Sequence, residues 1–178
     1  MARFAKYYTL IISAITFFGC ANMQPPGGGE VDRTPPAVKE VNPPNRMTNF
    51  SGSEIEFTFT EYVDKRTFKD AIFISPALEK GFDVSWTGKT ATITLKEELK
   101  KDVTYNLTIG TSVVDLNNAN NMAEAYSYIF STSDRIDQGV IRGKIYDKDP
   151  NKLYIFAYLL GNDNDSLLKR KPDFVTQT

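Results

Sequence analysis

An all-β fold, built as two packed antiparallel sheets, is predicted from three observations. Between residues 37 and 133, apolar and polar residues alternate in short runs, the period of a strand with one buried face. Gly, Pro, Asn and Asp cluster between those runs, where chain reversals need them. The runs number about seven in roughly one hundred residues, the density of a β-sandwich.

Each element can be justified in turn. Residues 37–41 form a short first strand, stopped by Asn42-Pro43-Pro44-Asn45. Residues 53–60 alternate cleanly, with Ile55, Phe57 and Phe59 on one face and Glu54, Glu56, Thr58 and Thr60 on the other. Residues 65–71 have room for a helical turn before Ile72-Phe-Ile-Ser75 extends. Residues 82–86 and 90–95 alternate on either side of Thr87-Gly88-Lys89, the clearest hairpin in the chain. A charged connection, residues 96–101, leads to an alternating strand over residues 103–109. A polar loop, residues 115–121, precedes the closing strand over residues 126–132. Strands and turns in this number and spacing are the signature of an immunoglobulin-like sandwich.

The residues also carry a family resemblance. Asp32-Arg-Thr-Pro-Pro-Ala-Val38, Pro43 and Ile55-Glu-Phe-Thr-Phe-Thr-Glu-Tyr-Val63 resemble the opening of the bacterial Ig-like domain of S-layer proteins and Bacteroidetes lipoproteins. Thr104-Tyr105, residues 115–120 and Tyr128-Ile129-Phe130 stand where that family has its Thr-Tyr strand, Asp-containing loop and aromatic strand. The family loop commonly reads Asp-x-x-Gly-Asn, and here Asn118 or Ala119 replaces the Gly. The resemblance covers residues 32–133. It implies a spacer or binding module without catalytic residues of its own.

Ahead of this domain the chain opens with Arg3 and Lys6, an apolar run over residues 7–18, and Gly19-Cys20. A basic start, a short apolar run and a small residue are the parts of an export signal. The run is shorter than the ~20 residues needed to cross a bilayer as a helix. The segment resembles the lipobox of bacterial lipoproteins, with Phe17 where Leu is usual. The resemblance implies cleavage after residue 19, a diacylglycerol on the Cys20 thiol and an acyl chain such as palmitate on the new amino terminus. The plain alternatives are a secretory signal with an incidental Cys, or a buried apolar helix. Residues 20–36, with Pro25-Pro26 and Gly27-Gly28-Gly29, read as a tether, part stiff and part flexible. Ala21, where an Asp would retain an enterobacterial lipoprotein at the inner membrane, points to the outer membrane. Which face of that membrane is left open.

Residues 136–178 start a second β-unit. Residues 139–147 and 152–160 read as strands joined by a turn at residues 147–151, and a third strand is expected from Phe174. Gly139-Val-Ile-Arg-Gly-Lys-Ile145 resembles the opening of the carboxypeptidase regulatory-like, transthyretin-type sandwich. Three strands cannot bury Leu153, Ile155, Ala157 and Leu159. The expectation is a truncated domain of a longer protein, or else pairing with the first domain or another chain.

Composition excludes much chemistry. Among 178 residues there is no His and one Cys, so His bases, His ligands, nucleophile–His pairs and thiolate metal sites are out of reach. Net charge is −1, and loss of Arg3 and Lys6 with the signal takes it to −3, which gives no electrostatic case for nucleic acid. Glu61 and Asp64 could form an acid/base pair, but strand-end acids usually stay solvated or cap a turn. Residues 115–121, Asp147/Asp149/Asn151 and Asn162-Asp-Asn-Asp165 offer oxygen ligands without the spacing of a calcium loop, and a polar turn is the default. Trp86, Tyr105, Tyr126 and Tyr128 could make a sugar platform, although their alternation places them in the core. Asp165-Ser166-Leu167 resembles a Bacteroidetes O-glycosylation signal. Asn49-Phe-Ser and Asn106-Leu-Thr fit the N-glycan pattern, which means little in a bacterium.

No catalytic, cofactor or metal residue is therefore expected, and Cys20 is the one lipidation site. The functional expectation is an outer-membrane lipoprotein carrying a non-enzymatic structural or binding module. Its partners would be the membrane through Cys20 and an envelope protein or glycan. The competing expectations are the anchoring region of a longer envelope enzyme and a carbohydrate-binding or adhesive module.

Overall fold

The computed structural model describes residues 28–148, 153–158 and 172–177. The signal segment, Cys20, residues 21–27, Asp149, Asn151 and residues 159–171 lie outside the described residues. Among the described residues, no helix is long and apolar enough to cross a membrane.

Seven strands and one short helix build the sandwich: β1 Val38–Asn42, β2 Glu54–Phe59, α1 Lys65–Asp70, β3 Ile72–Ser75, β4 Phe82–Thr87, β5 Thr90–Leu95, β6 Thr104–Ile109 and β7 Tyr126–Ser131. One sheet runs β1-β2-β5-β4 and the other β3-β6-β7, with all pairs antiparallel. Lettered in chain order, these are the A-B-E-D and C-F-G sheets of a constant-type immunoglobulin fold.

The alternation read from the sequence explains the packing. Ile55, Phe57 and Phe59 of β2 and Ala91, Ile93 and Leu95 of β5 point inward. They meet Tyr105, Leu107 and Ile109 of β6 and Tyr128 and Phe130 of β7. Ala91 is the cross-strand partner of both Phe57 and Trp86, and its small side chain leaves room for two large neighbours. Tyr105 stacks on Phe130 at 5.4 Å, and its hydroxyl accepts the Lys100 N–H at 3.0 Å. This is a tyrosine corner, which ties the start of the sixth strand to the loop before it.

Local chemistry sets the connections. The Asp64 carboxylate accepts the Arg66 N–H at 2.9 Å and caps α1. The cap seats Phe68 in the core against Phe59 and Trp86, at 5.5 and 5.1 Å. Gly88, with φ +59°, opens the two-residue turn between β4 and β5. The outer edge of β7 is covered by the segment around Met47, which pairs with it in parallel: Arg46 N–H donates to Ile129 O at 2.7 Å and Ser131 N–H to Met47 O at 2.9 Å. Covering an edge removes unpaired groups that would otherwise recruit another strand.

Two poles result. Loops 60–64, 88–89 and 110–125 lie at the end where β1 begins, the near pole. Loops 48–53, 76–81 and 96–103 lie at the far pole, from which the chain leaves after β7.

The second unit differs from its expectation. Residues 139–147 form no strand, and Val140, Ile141 and Tyr146 are exposed. Alternation alone does not make a strand without a paired neighbour, and no described strand runs beside this one. β8 Tyr154–Ala157 and β9 Phe174–Gln177 pair as a two-stranded sheet, shorter at β8 than the sequence implied. This hairpin rests on the outer side of β3 without joining its sheet. Tyr154 lies 5.1 Å from Phe73, and Val175 N–H donates to Ser75 Oγ at 2.8 Å.

Candidate functional site

The acids Glu61, Asp64 and Asp115 singled out in the sequence gather at the near pole. Val63 and Asp115 are bridge partners in a short antiparallel contact between loops 60–64 and 110–125. Asp64 N–H donates to Val114 O and Leu116 N–H to Tyr62 O, each at 2.9 Å. Side chains alternate across such a ladder. Val63 and Asp115 are therefore buried, while Tyr62 and Leu116 face solvent.

Asp115 serves the loop that follows it. Its Oδ1 accepts the N–H groups of Asn117, Asn118 and Ala119, and its Oδ2 accepts that of Asn120. These donors, led by Asn118, hold its carboxyl below the usual carboxylate range against the opposing effect of burial. Its oxygens thus face protein donors rather than an ion, as a polar turn requires. Among the described residues, no group of three or more acidic or thiol side chains is placed to hold a metal.

Glu61 and Asp64 are not a working pair. Asp64 caps α1, and the Arg66 N–H holds its carboxyl below the ordinary value. Glu61 is shifted the other way, upward, first by burial and then by the negative charges of Asp115 and Asp32. Asp32 accepts the Thr34 N–H at 2.9 Å, and its carbonyl takes the Asn120 amide at 3.1 Å. Lys89 Nζ donates to Thr60 O at 2.8 Å and lies 5.5 Å from the Tyr62 ring.

The loop also answers the question left by the missing glycine. Ala119 has φ +58°, so it occupies the left-handed position. A Cβ there costs ~1–2 kcal/mol in L-residues. Ala119→Gly is expected to raise stability by about 0.5–1 kcal/mol, part of the relief being lost to greater unfolded-chain freedom. Urea unfolding of both proteins measures it, and an unchanged or lower midpoint would contradict the assignment of strain.

The aromatic residues lie in the core. Tyr105 and Tyr128 are 2% and 0% exposed, Tyr126 packs against Phe57, and half-buried Trp86 packs against Phe59 and Phe68. They present no platform to a sugar. Asn49 is exposed, and Asn106 accepts Ser127 Oγ at 2.6 Å. Asn162-Asp-Asn-Asp165, Ser166 and Leu167 lie outside the described residues, as do Asp149, Asn151 and Cys20.

The far pole holds an open cleft of about 1030 Å³ lined by Phe50, Leu95, Leu99 and residues of both charges. Glu97 accepts the Glu79 and Lys80 N–H groups at 3.0 and 2.8 Å, and Lys96 pairs with Asp83 at 2.7 Å. These charges stitch two loops and a strand together.

The chain is similar in part to several known proteins. An L,D-transpeptidase from Mycobacterium smegmatis superposes with a TM-score of 0.41 at 18% identity, over 55% of this chain and 40% of that one. The N-terminal part of the bacterial S-layer protein SbsC gives 0.37 at 22% identity, over 55% and 24%. PcoC, a methionine-rich copper resistance protein from Escherichia coli, gives 0.40 at 15% identity, over 55% and 97%. The chain thus spans less than half the length of the first two. No curated protein sequence matches. The sequence profile of the bacterial Ig-like domain matches residues 32–132.

Proposed function

The chain belongs to the bacterial Ig-like domain family, and from that membership we propose that it is a non-catalytic structural or binding module held at the outer membrane by a lipid on Cys20. One observation carries the non-catalytic reading. The acids that could do chemistry are engaged by the fold itself: Asp115 by four backbone N–H groups of its own loop, and Asp64 by the start of α1. Burial of Tyr105 and Tyr128 counts against the sugar-binding alternative.

The two poles fit a spacer. The tether joins at one end of the sandwich, and the chain toward β8 leaves at the other. Strands of six residues separate the poles by roughly 20 Å. Whatever follows is thereby held off the anchor. The second reading, an anchoring region of a longer envelope enzyme, draws on the β8–β9 hairpin. Its Tyr154, Ile155, Phe156 and Phe174 are exposed, and they call for a covering element.

The anchor is tested by intact mass of the mature protein and by membrane fractionation. The expected wild type begins at Cys20, carries diacylglyceryl and acyl groups, and bands with the outer membrane. Cys20→Ala is expected to carry no lipid, to keep residues 1–19 and to be lost from the outer membrane. A wild type that carries no lipid removes the anchor from this reading.

A further inference from the structure

Across residues 32–133 of the sandwich, all of which are described, Tyr62 and Leu116 are the exposed large apolar side chains, at 51% and 61%. They belong together. Val63 and Asp115 are bridge partners, so Tyr62 stands directly opposite Leu116, and the 2.9 Å bond from Leu116 N–H to Tyr62 O closes the pair. With their neighbours turned inward, both side chains point the same way. Lys89, from a third loop, lies beside the Tyr62 ring. The rest of the sandwich keeps its large apolar groups at least partly covered. A lone exposed Leu means little, but a cross-strand Tyr–Leu pair with an adjacent Lys is an amphipathic tip.

The tip is at the pole where the tether joins. Asn120, four residues after Leu116, holds the Asp32 carbonyl at 3.1 Å. By length and composition, a dozen residues holding Pro25-Pro26 and Gly27-Gly28-Gly29 give a reach of roughly 20 Å from Cys20 to Asp32. We infer that the Tyr62–Leu116 tip is a membrane-contact site, which sets Leu116 into a zwitterionic lipid surface with Tyr62 and Lys89 at headgroup level. This rests on the Cys20 anchor proposed above. Tyr and Lys suit that depth, an aromatic ring with a polar end and a cation on a flexible stem. Glu61 and Asp32 border the tip, and their charges disfavour an anionic surface. Two side chains alone bind a bilayer weakly. A tether of this length supplies the local concentration that makes weak contact persistent. The consequence is orientation: the sandwich stands with its far pole away from the membrane.

The full-length lipidated chain tests this. With the Cys20 thiol blocked by its diacylglyceryl thioether, Asn117→Cys provides a single labelling site next to the tip and leaves Tyr62 and Leu116 in place. A polarity-sensitive fluorophore there is read on phosphatidylcholine vesicles containing nitroxide-labelled lipid. The expected result is a blue shift and quenching at Asn117→Cys that the same label at Lys101→Cys, on the far pole, does not show. Both signals should be lost when Tyr62→Asp and Leu116→Asp are added. Vesicle-bound, lipidated protein whose label at 117 behaves like the one at 101 overturns the tip contact while leaving the anchor intact. Quenching that survives the two Asp substitutions also overturns it. A chain whose mass shows no lipid removes the anchor, and the contact built on it, by a separate readout.

Discussion

Phe57→Ala is expected to cost about 3–5 kcal/mol of folding stability, the largest effect of any single truncation discussed for this domain. Phe57 is fully buried in β2. Its ring meets Tyr128 edge-on at 5.5 Å and Tyr126 at 6.2 Å, so it joins the two sheets at their centre. Its cross-strand partner is Ala91, which is too small to fill the space. The cavity would therefore stay open, and open cavities give the upper part of the range. Native domains are stable by only ~5–15 kcal/mol, so the loss would take between about a fifth of the stability and all of it. Thr58→Ala, one residue along, is the contrast. Thr58 lies on the outer face and shares a 3.0 Å hydroxyl contact with Thr90, worth about 0.2–1 kcal/mol. Urea or thermal unfolding of the two variants measures the difference. Comparable losses would contradict the inward placement of Phe57.

Acid is expected to destabilise the sandwich steeply below about pH 4, with Asp115 as the main single contributor. Asp115, Asp64 and Asp32 each have a folded-state pKa below the ordinary value, held there first by the N–H groups of Asn118, Arg66 and Thr34 respectively. A depressed carboxyl binds its proton more weakly in the folded chain than in the unfolded one. Its stabilisation is thus complete above the unfolded pKa and is lost as pH falls through the folded one. Asp64 and Asp32 are on exposed turns where solvent screens much of this. Asp115 is buried and accepts four backbone N–H groups of its own loop. Glu61 acts in the opposite direction. Its raised pKa makes the folded chain take up its proton first, so protonation of Glu61 adds stability just above the range where the aspartates fail. Asp115→Asn should be less stable than wild type at pH 7, because its amide presents a donor where a backbone donor already points. The gap should narrow as pH falls below the ordinary carboxylate range, where wild type loses its carboxylate. Unfolding midpoints from pH 7 to 3 provide the check. A gap that stays constant would show that Asp115 acts by shape rather than by charge.

Much of the fold was legible because alternation has a direct physical meaning. In β2 and β5 the residues at every second position are the ones the core encloses. The hairpin at Gly88 was equally readable, since only its turn needs a left-handed residue there. The helical turn over α1 was left open by the sequence because six residues carry too little pattern. Its cap, Asp64, was visible only as one of two strand-end acids. Residues 139–147 show the converse. They alternate as a strand does, yet lie exposed and outside every described strand, because strand formation depends on a neighbour and not on the segment itself. For the candidate site, Glu61, Asp64 and Asp115 were found as residue types. Their roles depended on which N–H groups came within reach, and that is a property of the folded loops. Tyr62 and Leu116 carried no signal of their own, being fifty-four positions apart in the chain.

By itself, then, the sequence determined that this is an all-β sandwich with a core of alternating Ile, Phe and Leu. Local period and turn chemistry suffice for that, because both act within a few residues. The tertiary structure alone decided that Asp115 is buried and held by its own loop, that Ala119 bears the left-handed conformation, and that Tyr62 and Leu116 share one face at the near pole. Those outcomes arise from the meeting of loops distant in sequence, where the register of a single bridge sets which side chains turn inward and which reach solvent.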